Sequence, residues 1–324
     1  MKKILLTGCC GFIASRIGEK LLKEKNCEVL GVDELNDYYD VRLKEWRLAQ
    51  LKKNRNFTFI KQDIASPEMS GIVKKFLPDA IINLAARAGV RASITDPFIY
   101  FRANLTGTLN LLEAAKELGV RKFILSSTSS VYAGEEMPFC ESLAVNRPIS
   151  PYAASKKSAE AVCYTYHYLY NINVTVFRYF TVYGPAGRPD MSIFKFIKLI
   201  DEGKTITVYG DGTQKRDFTY VEDIAEGTVR GLDIEGFNTV NLGGNHPYSL
   251  NDLISFIEKE LGRKAVRNSQ PFQKTDIYAT WADIGNAERL LKWHPETTLE
   301  EGIRKTVDWY KENRNWVKDI PLVD

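Results

Sequence analysis

Short apolar runs of strand length alternate with stretches of helical spacing along the first half of the chain. Ile4, Leu5 and Leu6 form the first run, and Ile17, Leu21 and Leu22 then recur on one helical face. Further apolar runs stand at 27–32, 57–60, 80–84, 122–125 and 173–177. Between them, 36–54 reads as partly helical. Ser66-Pro67 opens a helix to about Phe76, Asp96-Pro97 a long helix through Gly119, and a further helix runs to about Tyr170. Strands apolar on both faces, separated by helices, predict a parallel sheet covered on both sides. The second half alternates less regularly. A helix is predicted over 193–201, a strand over 205–209 and a helix capped by Thr219. Val240-Asn241-Leu242 reads as a strand that rejoins the first sheet. Ser249 starts a helix to Leu261, and a charged helix covers 299–313. No repeat, low-complexity tract or linker separates the halves, so the second unit is expected to be woven into the first.

The glycine turn adds chemistry to this pattern. Gly8 and Gly11 follow the first strand directly and precede the first helix. Gly8 permits a tight turn, and Gly11 lets backbone approach a pyrophosphate at the positive end of the helix. Ala14 is small enough for close packing of helix on strand. Asp33 ends the second strand about twenty residues later, where an acid binds ribose hydroxyls and repels a 2′-phosphate. NAD is therefore expected over NADP. Asp63, after the third strand, is placed to reach the adenine amino group. The hydroxyl run Ser126-Ser127-Thr128-Ser129-Ser130 follows another strand, and Tyr152 and Lys156 lie four apart on one helical face. An ammonium beside a phenol favours the phenolate, which is a base for an alcohol proton. These groups all fall at the carboxyl ends of strands, where such sheets bind ligands.

Composition narrows the class. The chain has 324 residues, 44% hydrophobic and 26% charged, with net charge +3. That balance gives no reason to expect nucleic acid or a membrane surface, and no apolar run reaches the ~18 residues of a spanning helix. Five cysteines without C-x-x-C spacing and three scattered histidines indicate neither a disulfide frame nor a metal site. Small buried thiols in a reducing cytoplasm are expected.

Gly8-x-x-Gly11-x-x-Ala14, Asp33, Asn83-Leu84-Ala85-Ala86, Asn104, Ser126-Ser127-Thr128 and Tyr152-x-x-x-Lys156 together resemble the extended short-chain dehydrogenase/reductase family over essentially the whole chain. Leu35 to Asp40, Phe180 to Pro185 with Gly187 to Met191, and Lys215 to Tyr220 look most like its UDP-glucuronate 4-epimerases. Three positions depart from the pattern: Ala14 for the commoner glycine, Arg87 for the usual glutamine, and Ala133 after Val131-Tyr132.

The resemblance implies an α/β fold, a Rossmann-type doubly wound parallel sheet with a smaller interwoven C-terminal substrate domain. Residues 1–180 and 219–262 would bind NAD, and 181–218 and 263–324 a UDP-sugar. It implies catalysis by Thr128, Tyr152 and Lys156. NAD contacts are implied at Gly8, Gly11, Phe12, Ile13, Asp33, Asp63, Ile64, Leu84, Ala85, Ala86, Asn104, Ser126, Tyr152, Lys156 and Tyr179. Arg87, Thr128, Ser129, Ser130, Thr181, Arg188 and Arg216 would contact substrate, the two later arginines on the diphosphate and uridine side. A homodimer is expected through the helices that carry Leu105, Leu109, Leu112, Val162, Tyr166 and Leu169.

Family members that eliminate water carry Asp-Glu immediately after the active-site threonine. Here Ser129-Ser130 stands there, so the 4-keto sugar has no group to divert it, and epimerisation is the simplest outcome. A 4-keto uronate is a β-keto acid, and neutral hydroxyls such as Ser129, Ser130 and Thr181 suit the task of holding its carboxylate out of line. A UDP-glucose 4-epimerase, or another NAD-dependent nucleotide-sugar dehydrogenase or dehydratase, remains open on these residues.

Overall fold

The computed structural model describes residues 1–272 and 278–323, so residues 273–277 and 324 of the expected 263–324 segment lie outside the described residues. The first strand, β1 (Lys3–Thr7), buries Ile4, Leu5 and Leu6 completely. Helix α1 (Phe12–Glu24) returns across the sheet with Ile17, Leu21 and Leu22 inward. The alternation continues through β2 (Glu28–Asp33), α2 (Val41–Leu51), β3 (Phe57–Lys61), α3 (Met69–Phe76) and β4 (Ala80–Asn83). After β4 come α4 (Val90–Thr95), α5 (Pro97–Phe101), α6 (Gly107–Leu118), β5 (Lys122–Thr128), α7 (Pro151–Tyr170) and β6 (Asn173–Tyr179).

The chain then leaves the sheet through β7 (Thr181–Tyr183), α8 (Ser192–Asp201), β8 (Thr205–Tyr209) and β9 (Lys215–Tyr220), and α9 (Val221–Arg230) brings it back to β10 (Phe237–Leu242). Next come β11 (Pro247–Ser249), α10 (Leu250–Leu261), β12 (Val266–Gln270), α11 (Gly285–Leu291) and α12 (Leu299–Glu312).

Seven strands form one parallel sheet in the order β10-β6-β5-β4-β1-β2-β3. Strand order reverses between β1 and β4, and a crevice opens there at the carboxyl ends. One apolar core packs α1 and α9 on one face of the sheet, and a second packs α6 and α7 on the other. A third core gathers α8, α10 and α12 around β8 and β9 and forms the smaller unit. Among the described residues no helix is long and apolar enough to cross a membrane.

Three details differ from the sequence reading. The helix expected from Asp96 to Gly119 is interrupted by a π-turn at Arg102–Thr106, which aims Asn104 into the interior. Periodicity does not reveal such a bulge, because the polar residue it turns inward has its partners on remote elements. Thr219 is not a cap; it remains in β9, and Tyr220 precedes α9 without a side-chain cap. Finally, α10, expected with the first unit, buries Leu253, Ile254 and Ile257 in the third core, whereas α11 packs on α9 and β10 of the first. Spacing shows that a helix has a buried face, not which layer that face meets.

A charged pair lies between α7, β5 and β6. Glu160 accepts from Arg178 Nε at 3.0 Å and Nη2 at 2.8 Å, and from Ser127 Oγ at 2.5 Å. Both side chains are 4% exposed. Burial opposes ionisation of Glu160, yet the Arg178 bonds and charge outweigh it and hold the carboxyl below its usual range. Arg178→Ala would leave that carboxylate buried without its guanidinium. The expected loss of stability is about 3–5 kcal/mol, read as a lower midpoint in urea unfolding.

Candidate active site

The crevice at the switch point is a cleft of about 430 Å³. Its floor is the turn between β1 and α1. Gly8 has φ +67°, and a Cβ there would lie 2.7 Å from the Ala85 backbone nitrogen. A Cβ on Gly11 would lie 2.9 Å from the Gly8 carbonyl oxygen. Helix α1 starts at Phe12 with no side-chain cap and no acid in its first turn, so its N-terminal amides and dipole are left for an anion. Arg47, buried on α2, ties this turn to the 184–187 loop. It donates to the carbonyls of Cys10 at 3.1 Å and Ala186 at 2.7 Å.

Asp33 ends β2 and accepts from the Cys10 amide at 3.0 Å and the Leu35 amide at 2.8 Å. Burial raises its carboxyl above the ordinary value, against those amides and the Lys44 charge. Its oxygens lie within 4.8 Å of the Cys9 and Cys10 thiols, but burial holds the Cys9 thiol well up and disfavours the thiolate a metal needs. Asp63 accepts from the Ala65 amide at 2.8 Å and pairs with Arg102 at 2.7 Å.

The other end of the cleft is rich in hydroxyls. Ser150 caps α7, accepting from the Ala153 amide at 3.2 Å, and Pro151 starts the helix, so Tyr152 and Lys156 face β5. Lys156 Nζ donates to the Ser126 carbonyl at 2.8 Å. Burial lowers its ammonium to about 8, against the charge of Glu160. The Tyr152 phenol is raised by burial, while its hydrogen bond with Thr128 and the Arg188 charge pull it back. Thr128 donates to Ser130 Oγ at 3.1 Å and accepts from the Ser130 amide at 3.1 Å, fixing the turn that carries Ser129 and Ser130. Thr181 opens β7, where the chain passes from the large sheet to the smaller unit.

The cleft gathers the residues expected at the site, with two exceptions. Asn104 is 1% exposed and lies behind the wall. It accepts from the Arg87 amide at 2.8 Å and donates to the Arg87 carbonyl at 3.1 Å and to Ser155 Oγ at 2.8 Å. Arg216 lies on β9 outside the lining and donates to the Lys215 carbonyl at 2.8 Å. Arg188 does line the cleft, bonded through Nε to Asp190 at 3.0 Å and stacked over Tyr38 at 5.8 Å. Arg87 turns away from the hydroxyl end and reaches Glu34 at 3.5 Å.

Sequence reasoning missed Glu34, Tyr38, Tyr39 and Lys44 as lining residues. The signal was an aromatic pair in a polar segment directly after the Asp33 strand. Gly89, at φ +124°, lets the Tyr38 hydroxyl close in, since a Cβ would lie 2.6 Å from it.

A floor that only glycine fits, an open helix N-terminus and a buried acid at the end of β2 suit a dinucleotide. The profile of the GDP-mannose 4,6 dehydratase family matches residues 5–306. The chain is 55% identical over 320 residues to a UDP-glucuronate 4-epimerase of Thermodesulfobacterium geofontis, covering 98% of this chain and 99% of that one. It superposes with TM-score 0.91 and 38% identity on the UDP-glucuronic acid 4-epimerase of Bacillus cereus in complex with UDP-glucuronic acid and NAD, covering 96% of this chain and 99% of that one. A UDP-glucose 4-epimerase of Thermotoga maritima with UDP-glucose matches with TM-score 0.87 and 30% identity, over 96% of this chain and 99% of that one.

Gly8→Ala should force the turn off Ala85 in an unfavourable conformation. Strain of about 1–3 kcal/mol corresponds to roughly a five- to hundred-fold loss of NAD affinity, measured by calorimetric titration of the two proteins.

Proposed function

The chain belongs to the GDP-mannose 4,6 dehydratase family, and we propose that this protein is an NAD-dependent 4-epimerase that interconverts UDP-glucuronate and UDP-galacturonate. The observation that carries the reading is the hydroxyl end of the cleft. Thr128, Ser129, Ser130 and Thr181 line the same cleft as Tyr152, and Thr128 is hydrogen-bonded to its phenol. Of the cleft's acids, Asp33 ends β2, Glu34 and Asp63 follow β2 and β3, and Asp190 is bound to Arg188. Elimination of water needs a free base at C5, and the lining carboxylate linked to this end, Asp190, is occupied by its pairing with Arg188.

In this reading the Gly8–Gly11 turn and the start of α1 hold the pyrophosphate, and Asp33 holds the adenosine ribose. Bound NAD supplies the acceptor, and then the donor, of the C4 hydride. Tyr152 takes the C4 hydroxyl proton and returns it to the epimeric alcohol. Lys156 is fixed on Ser126 one helical turn beyond Tyr152, the Arg188 charge favours the phenolate, and Thr128 holds the phenolic oxygen in place. Ser129, Ser130 and Thr181 hold the uronate carboxylate out of line with the C4 carbonyl π system, so the β-keto acid keeps its CO2. Their neutrality lets the ring turn over without breaking a buried ion pair.

We place two copies back to back on the α5, α6 and α7 face. Phe98 is 85% exposed and Leu169 56% exposed there, and Leu109 joins them at the surface. Of the six residues expected at such a contact, Leu112 and Tyr166 are buried in the sheet core and Val162 packs against it. The described cysteines are all free thiols, which suits a reducing cytoplasm.

Thr181→Val keeps the shape and deletes one hydrogen bond to a charged group. The expected loss in kcat/KM on UDP-glucuronate is ten- to hundred-fold, from about 1.5–3 kcal/mol, together with release of CO2 and a pentose nucleotide. UDP-glucose turnover should change far less. NMR analysis of products from both substrates tests this, and equal losses on the two would favour the neutral-sugar epimerase. The dimer is checked by light scattering at micromolar concentration, where Leu169→Lys should yield monomers.

A further inference from the structure

Arg87 and Glu34 stand on opposite walls of the cleft. Arg87 follows β4 and Glu34 follows β2, and the sheet order β4-β1-β2 places the carboxyl end of β1 between them. Their contact, Arg87 Nη2 to Glu34 Oε1 at 3.5 Å, therefore bridges over the Gly8–Gly11 turn. The base of the Arg87 side chain is fixed, since Asn104 binds both its amide and its carbonyl. Glu34 is steadied in turn by Asn36 Nδ2 at 2.5 Å. The Arg87 side chain is only 15% exposed, and its Nε is buried without a hydrogen-bond partner. A buried guanidinium donor without an acceptor is costly, and one poised above an anion-binding turn has a natural acceptor in a phosphate oxygen.

We propose that Arg87 and Glu34 form a clasp over the bound dinucleotide, with Arg87 reading its diphosphate and Glu34 holding the guanidinium across the cleft. The clasp rests on the dinucleotide reading above and adds a role for two residues that face neither the sugar nor the reacting atoms. Closed over the diphosphate, it slows escape of the cofactor. An enzyme that oxidises and re-reduces the same carbon gains from this, because each departure of reduced cofactor strands a 4-keto sugar.

The test is the rate at which bound NAD leaves the full-length protein, followed by the change in protein fluorescence when excess competing ADP-ribose is added. Arg87→Gln should speed release about tenfold, the lower end of what a charged hydrogen bond contributes. Glu34→Gln should speed it by a smaller factor, and the double variant should be no faster than Arg87→Gln alone. Equilibrium titration with ADP-ribose should weaken about tenfold in Arg87→Gln, while adenosine, which has no phosphate, should bind as in the parent. Release unchanged in Arg87→Gln, or equal losses for ADP-ribose and adenosine, overturns the clasp while leaving the dinucleotide site intact. Should Arg87→Gln fail to fold, unchanged release in Glu34→Gln overturns it equally. A parent protein that binds no dinucleotide overturns both the clasp and the reading beneath it.

Discussion

Glu160 and Arg178 carry opposite charges out of water at the junction of α7, β5 and β6, and the placement of Thr128, Tyr152 and Lys156 hangs on that junction. Glu160 stands one helical turn beyond Lys156 on α7 and accepts from Ser127, the residue between Ser126 and Thr128 on β5. The helix that presents Tyr152 and Lys156 is thereby pinned to the strand that presents Thr128. Arg178 extends the connection by donating to the Tyr132 hydroxyl at 2.8 Å, which donates to Asn241 at 2.8 Å. Asn241 in turn holds the carbonyls of Phe139 and Asp283. A buried ion pair contributes little net stability where hydrophobic packing could replace it. Its directional bonds do what packing cannot: they fix the register of a helix against a strand.

The cleft divides its chemistry by location. Asp33, Glu34, Asp63, Lys44 and Arg87 share the cleft with the glycine turn. Hydroxyls collect at the other end. In the proposed epimerisation the nucleotide stays fixed through a turnover, so ion pairs and charge-assisted bonds suit its binding. The sugar must present both faces in succession, so its anchors have to let go and form again, which weak neutral bonds permit. Arg188 lies between the two regimes, neutralised by Asp190 and stacked on Tyr38.

Much of this was legible in the sequence because its signals are local. Gly8, Gly11, Asp33, Tyr152 and Lys156 are fixed by the ends of elements whose periodicity is plain, and a parallel sheet brings those ends together whatever the side chains between them. What escaped has a common cause in contacts that are distant along the chain. Thr219 looks like a cap because the helix signal after it is strong, yet β9 pairs through it to Val182 of β7. The layer that α10 meets is set by α8 and α12, which no local pattern shows. Arg216 sits in a stretch that resembles the family, which implies a substrate contact, but β9 places it outside the cleft lining.

Asn104 shows how such a long-range constraint can remake local structure. A regular helix from Pro97 to Leu118 would turn residue 104 elsewhere, and the π-turn adds the extra residue that aims it inward. The interior site it fills has three requirements: an acceptor for the Arg87 amide, a donor for the Arg87 carbonyl, and a donor for Ser155 on the helix of Tyr152 and Lys156. A single carboxamide meets all three, whereas a carboxylate has no donor and an aliphatic side chain neither group. The local irregularity is therefore tolerated because it joins the loop after β4, which lines the cleft, to the helix that carries Tyr152 and Lys156. Displacing Asn104 would loosen both walls together, although it touches the cleft at neither.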